Sequence, residues 1–236
     1  MRRVRFATLA AVLSILTAAA CVAPVRAVAG ALTLDQGKLQ VYLLRMDPVS
    51  RDARDFTRAS WGGGGNVVVP VPRLGNLFAG VLGIDIANML SEDHEFREPN
   101  TGLRVKQETN QSYMRIYLGG RMGPHGHGFV RPHLGTNVAV VIYDITTDLV
   151  VPDDTDPDKE IRQNLGSRTE SAFGWDVTAG VDWNIANKIP IETGVRWLKS
   201  FNVPQQLGEG AVTVHPAYVQ YYLGVGVTFG AMSGKK

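Results

Sequence analysis

Between Phe173 and Trp183 the chain alternates strictly. Phe173, Trp175, Val177, Ala179, Val181 and Trp183 fall on one side, and Gly174, Asp176, Thr178, Gly180 and Asp182 on the other. Period two is the side-chain period of a β-strand, and it predicts a strand with one apolar and one polar face. The device recurs. Tyr221, Leu223, Val225, Val227 and Phe229 alternate with Tyr222, Gly224, Gly226 and Thr228, and Ile191, Thr193, Val195 and Trp197 with Glu192, Gly194 and Arg196. Leu134, Thr136, Val138, Val140 and Ile142 alternate with His133, Gly135, Asn137 and Ala139. Weaker segments complete the set. Met114, Ile116 and Leu118 alternate with Tyr113, Arg115, Tyr117 and Gly119, and Phe78, Leu82, Ile84 and Ile86 share a face opposite Asp85. Two further strands, Lys38 to Met46 and Trp61 to Val69, bring the expected number to eight.

The connections alternate in length. Long ones run from about Asp47 to Ser60, Ser91 to Val105, Asp144 to Ser167 and Val203 to Pro216; short ones lie at Pro70 to Leu77, Gly123 to Gly128 and Asn184 to Lys188. Strict interleaving puts all the long connections at one end of an up-and-down meander. Turn residues such as Pro70, Pro72, Gly75, Gly123 and Pro124 mark the short end.

An eight-stranded all-β barrel can turn its apolar face inward around a ligand, as in a soluble binding barrel, or outward to lipid. Small residues decide for the second. Gly174, Gly180, Gly194, Gly224 and Gly226 all fall on the polar face. A lumen of eight strands is just wide enough for side chains, so large residues there need small neighbours. Trp175 and Trp183 lie eight residues apart on one strand, about 20 Å of height at a tilt of ~40°, which fits opposite aromatic girdles. Trp197 joins them on the outward face.

The N-terminus reads as an export signal over residues 1–29, with Arg2, Arg3 and Arg5 before an apolar run from Ala7 to Ala20 and cleavage expected near 27–29. Competing readings are a retained anchor and a lipoprotein acylated at Cys21. A short lead over 30–37, the barrel over 38–229 and a polar tail over 230–236 follow. Removing residues 1–27, which hold four arginines and no acid, turns 24 basic against 22 acidic residues into 20 against 22. The basic balance of the whole chain therefore gives no reason to expect nucleic acid as a partner. A single cysteine excludes a disulfide framework. Beyond the leader no apolar run reaches the ~18 residues of a spanning helix.

Together the leader, the segment Arg131-Pro132-His133-Leu134-Gly135-Thr136-Asn137-Val138, the Phe173-to-Trp183 strand and the ending Tyr221-to-Phe229 resemble the small outer-membrane β-barrel proteins of Gram-negative bacteria. The resemblance is one of pattern and covers about residues 38–229. It implies insertion by the barrel-assembly machinery, which in that family reads a final aromatic with apolar residues at every second position; Phe229, Val227, Val225, Leu223 and Tyr221 match. Family members usually stop at the aromatic, whereas here Gly230 to Lys236 follow. The implied location is the outer membrane, with its lipid as partner.

The inward face carries Lys38, Asp85, Arg115, Arg121, Arg131, His133, Asp176, Asp182, Glu192 and Arg196. Five bases and four acids nearly cancel, as a lumen filled by ion pairs requires. The expected role is structural, surface-interacting or a minor passage for small solutes; a lipid hydrolase on the same scaffold and a soluble apolar-ligand barrel are the alternatives. Ser91, His94 and His215 fall in long connections without a hydrolase signature, and His125 and His127 lack a third metal ligand. Asp153 to Glu160 lacks the glycine and final glutamate of a calcium loop, and Gly62 to Gly65 lacks the lysine of a phosphate loop. Neither a cofactor nor a catalytic residue is expected.

Overall fold

A computed structural model describes residues 37–71, 77–97, 104–125, 128–152, 160–186, 189–207 and 210–229. The export signal, most of the lead, the tail after Phe229, His127 and the acidic segment 153–159 lie outside them. In chain order the described elements are β1 (Gly37–Pro48), α1 (Arg51–Phe56), β2 (Ser60–Pro70), β3 (Phe78–Arg97), β4 (Arg104–Met122), β5 (Val130–Pro152), β6 (Glu160–Ala186), β7 (Ile189–Phe201), β8 (Val203–Leu207), β9 (Gly210–Val214) and β10 (Ala217–Phe229). Eight of the described strands close a barrel in the order β1-β10-β7-β6-β5-β4-β3-β2, every pair antiparallel, and β8 and β9 form a separate hairpin. The eight expected strands and their up-and-down order are present. The ring closes where Gly37 meets Phe229, so both ends of the barrel segment lie at the short-turn end.

The far end differs from the expected long loops. β3 continues to Arg97 and β4 starts at Arg104, while β5 runs to Pro152 and β6 starts at Glu160. β2 pairs only with Ala79 to Ala87 of β3, and β7 reaches up β6 only to Phe173. Four strands therefore project as a sheet beyond the ring. The sequence hides this because a sheet whose two faces both meet water has no reason to alternate in hydrophobicity, and Ser91-Glu92-Asp93-His94-Glu95 does not. The other two long connections also fold: α1 follows β1, and the β8–β9 hairpin precedes β10. Ser50 caps α1 by accepting from the Ala53 amide at 3.1 Å, and the same hydroxyl accepts from the Ala217 amide at 2.9 Å, tying the helix to β10.

Alternation assigns the faces. Outward positions such as Leu43, Leu82, Ile116, Leu134, Val177 and Leu223 are exposed, while Lys38, Tyr42, Asp85, Arg115, Asp176 and Arg196 are buried inside. Next to the short-turn half, glycines make room for the large inner side chains. A Cβ at Gly180 would lie 2.7 Å from both His133 Nε2 and Tyr222 Oη, whereas nothing lies within 4 Å of one at Gly166 in the projecting sheet. Gly180→Val is expected to destabilise the barrel by about 1–3 kcal/mol through overpacking, and Gly166→Ala to change stability by less than about 0.5 kcal/mol. Urea titrations of the refolded variants read the difference; equal tolerance at the two sites would refute the tight fit around Tyr222.

Candidate functional site

All ten charged or histidine positions assigned to the inner face are buried in the barrel. They sort into two layers. In the middle layer Asp85 on β3 stands opposite Arg115 on β4 in register, and its Oδ2 accepts from Arg115 Nη1 and Arg196 Nη1, both at 2.9 Å. Its Oδ1 accepts from the Tyr42 hydroxyl. Arg115 Nη2 pairs with Asp176, which also accepts from Asn137 Nδ2 at 2.7 Å and Thr178 Oγ1 at 3.0 Å. Arg196 donates further to Gln220 at 3.1 Å and Thr178 at 3.2 Å. Its guanidinium lies over Tyr117 at 4.9 Å and Tyr222 at 5.2 Å, and Arg115 over Tyr117 at 4.4 Å. Two arginines thus meet two aspartates inside a cage of tyrosine rings, where cation–π attraction adds to the ion pairs.

The second layer lies toward the short-turn end. Asp182 and Glu192 face each other across β6 and β7, an arrangement of like charges that requires cations. Lys38 and Arg121 each bridge both acids: Lys38 Nζ reaches Asp182 Oδ1 at 2.6 Å and also pairs with Glu192, and Arg121 reaches Asp182 Oδ2 at 2.8 Å and Glu192 Oε2 at 3.3 Å. Glu192 Oε1 accepts from Tyr222 at 2.9 Å and lies 3.2 Å from His133 Nε2. Arg131 stands beside Asp182 in register. Side-chain atoms of His133, Asp182 and Glu192 lie within 4.8 Å of one another, close enough to surround a metal ion. The donor set does not fit that use, because Lys38 and Arg121 already hold both carboxylates.

Several interior residues carried no assigned role in the sequence. Tyr42, Tyr117 and Tyr222 join the ionic layers, and Tyr113, Tyr143 and Tyr218 pack in a third, apolar layer with Leu44, Met46, Met89, Val141 and Leu198. Ala53 of α1 and Thr57 after it are buried against this end, so the helix stoppers the ring. The tyrosines fall on the polar side of the alternation, which was the signal available for them. Met89 had none: it is the extra residue at a bulge between Asn88 and Leu90.

The surface candidates do not come together. Ser91 Oγ bonds Asn110 at 3.0 Å, His94 lies 3.9 Å from Glu92, and His215 Nδ1 accepts from the Asn202 amide at 3.2 Å. Outside, Trp175 and Trp197 meet edge to face at 5.4 Å toward the projecting end, while Trp183 contacts Phe129 near the short turns and donates to Thr193 Oγ1 at 3.2 Å. Tyr221, Leu223, Val225, Val227 and Phe229 line the outer face of β10.

No protein-family model and no curated protein matches the sequence. Among solved structures, Neisserial surface protein A superposes with a TM-score of 0.51 at 11% identity, over 81% of this chain and 96% of that one. A major outer membrane protein from Thermus thermophilus (12% identity, 82% and 99% covered, TM-score 0.47) and the attachment invasion locus protein Ail of Yersinia pestis (10%, 84% and 100%, TM-score 0.45) are also similar. The first likeness establishes the fold: an eight-stranded antiparallel barrel of the small outer-membrane type.

Truncating one partner of a buried network leaves the others uncompensated. Arg196→Gln is expected to cost about 3–5 kcal/mol, against about 0–1 kcal/mol for Arg45→Gln, whose pair with Asp47 is exposed. Denaturant midpoints of the two variants measure the contrast, and a similar small cost for both would mean that the inner network contributes no specific stabilisation.

Proposed function

We propose that this protein is an outer-membrane barrel with a closed lumen, acting as a structural and surface-interaction component through the sheet that projects beyond the ring. One observation carries the membrane reading: the outer face of every barrel strand is apolar over a common height and remains uncovered. Monomeric soluble proteins do not expose a continuous belt of this size. The apolar outer run from Phe173 to Trp183 on β6 spans about 25 Å at ~3.3 Å per residue and ~40° of tilt, the height of the apolar band of a membrane barrel. The short-turn end, with the strand ending in Phe229, then faces the periplasm, and β10 presents its aromatic and alternate apolar residues to the assembly machinery.

The filled interior supports a non-conducting role. Between the two ionic layers lies a void of about 20 Å³, roughly the room for one water. Purified protein in planar bilayers is expected to show no steady conductance.

The projecting sheet supports the surface role. Both of its outer edges carry charge: Glu92, Asp93, Glu95 and Arg97 on β3, and Glu160, Arg162, Arg168 and Glu170 on β6. Charges on an edge strand discourage pairing with another chain, so the sheet offers a charged surface to a partner rather than a bare edge. Across the sheet, Asp93, Lys106, Glu108, Arg162 and Glu160 form a continuous chain of ion pairs. Hydrogen bonds from Lys106 to Glu108 and Asp93 hold its ammonium well above the usual lysine range.

Two outward residues of similar exposure separate belt from projection. Ile116, 44% exposed, lies midway along the ring, and Ile161, 53% exposed, lies in the projecting sheet. Ile116→Arg is expected to lower stability in vesicles by ~2–4 kcal/mol and Ile161→Arg by less than ~0.5 kcal/mol. Equal effects would remove the membrane reading. With Cys21 replaced by serine, an impermeant maleimide should label Ser167→Cys on intact cells and Pro124→Cys only after the outer membrane is opened; the reverse pattern would invert the topology.

A further inference from the structure

Three of the side chains lining the void between the ionic layers keep a polar atom without a protein partner. Arg121 gives Nη1 to Glu192 and Nη2 to Asp182, which leaves its Nε–H. Asn66 donates through Nδ2 to the Tyr117 hydroxyl at 3.4 Å, which leaves Oδ1. His133 keeps Nδ1, and its Nε2 lies 3.2 Å from Glu192 Oε1 without the alignment of a hydrogen bond. These residues are more than nine-tenths buried, at 8%, 6% and 5% exposure, so bulk water does not reach them freely. The other polar residues around the void, Asn137, Thr178, Glu192, Arg196 and Tyr222, are already bonded within the layers. Buried polar atoms in folded proteins almost always find a partner, from protein or from ordered water. Here a donor, an acceptor and an imidazole nitrogen surround a space of about 20 Å³.

We propose that this void is the site of one resident water, which accepts from Arg121 Nε, donates to Asn66 Oδ1 and bonds His133 through Nδ1. About three bonds is the usual complement of an internal water, and either tautomer of His133 can supply the third. An anion of the same size fits less well, because Asn66 Oδ1 needs a donor and Arg121 and Arg196 are held by Asp182, Glu192 and Asp85. The water bridges β2, β4 and β5. Through Asn66 and Tyr117 it joins the middle layer to the layer of Lys38, Arg121, Asp182 and Glu192, so that the lumen carries one hydrogen-bonded network rather than two. Val68 and Arg121 line both this void and a cavity of about 80 Å³ at the short-turn end, so the site fills and exchanges from that end. The site depends on the interior geometry alone and not on the membrane reading.

The test uses the full mature chain refolded in maltoside micelles, with long-lived internal waters counted by ¹⁷O and ²H relaxation dispersion. Val81 faces Val68 across β2 and β3 at the void, and Val81→Ile extends it by one methylene. The expected result is the loss of one long-lived water together with a lower urea midpoint, because the added group displaces the water and leaves three polar atoms unmatched. A dry void gives the opposite sign: filling an empty cavity raises the midpoint and leaves the count of waters unchanged, and either of those results would overturn the proposal. The unaltered protein supplies a reading that needs no variant. Nuclear Overhauser contacts should run from the water resonance to the methyl groups of Val68 and Val81 and not to those of Leu82, which faces outward; their absence at both valines would equally count against the site. Exchanging chloride for gluconate at constant ionic strength should leave the count of waters as it is, whereas a change would assign the void to an anion instead.

Discussion

Closure at eight strands is the constraint on which the rest of this structure depends. A ring of that size leaves an interior that side chains fill completely, so every inward position must be packed, paired or made small. Charges admitted to such an interior need partners with hydrogen-bonding geometry, because an isolated buried ion is far more costly than the pair is stabilising. The Asp85–Arg115–Asp176–Arg196 cluster meets that condition with Tyr42, Tyr117, Asn137, Thr178 and Gln220 taking up remaining donors and acceptors. The glycines follow from the same geometry: Gly180 and Gly194 clear the space that Tyr222 occupies.

Eight strands, their order and their two faces were legible in the sequence because a bilayer-facing barrel needs strict alternation, and alternation is a one-dimensional signal. The charged members of the inner face were legible for the same reason. Their pairing was not, since Lys38 and Glu192, or Asp85 and Arg196, meet across the lumen from strands that are not chain neighbours in the simple hairpin sense. Met46, Val141 and Leu198 were missed because they are apolar residues on an inward face expected to be polar. There the barrel is stoppered by α1, and an apolar layer is compatible with burial from water on both sides.

The projecting sheet shows the converse case. Hydrophobic periodicity ends where the apolar surroundings of the outer face end, but the backbone ladder does not. Leu165 marks the change in pairing on β6: Asn164 faces Asp148 and Gly166 faces Thr147, which leaves Leu165 unpaired in the ladder. A bulge of this kind increases local twist and re-aims the strand. Only the register, fixed by many cross-strand hydrogen bonds, records that the sheet continues through it.

The seam between β1 and β10 has a consequence for how the chain must fold. Gly37 and Phe229 are paired although they begin and end the barrel segment, so the last contact in space joins the most distant positions in sequence. Every other ring contact forms between neighbouring strands in the chain, at a modest loss of chain entropy, whereas the seam waits until the whole segment is present and nearly arranged. Until then both outer strands offer unpaired edges to other chains. The partly assembled ring is therefore a sticky species whose lifetime ends only when its final strand arrives.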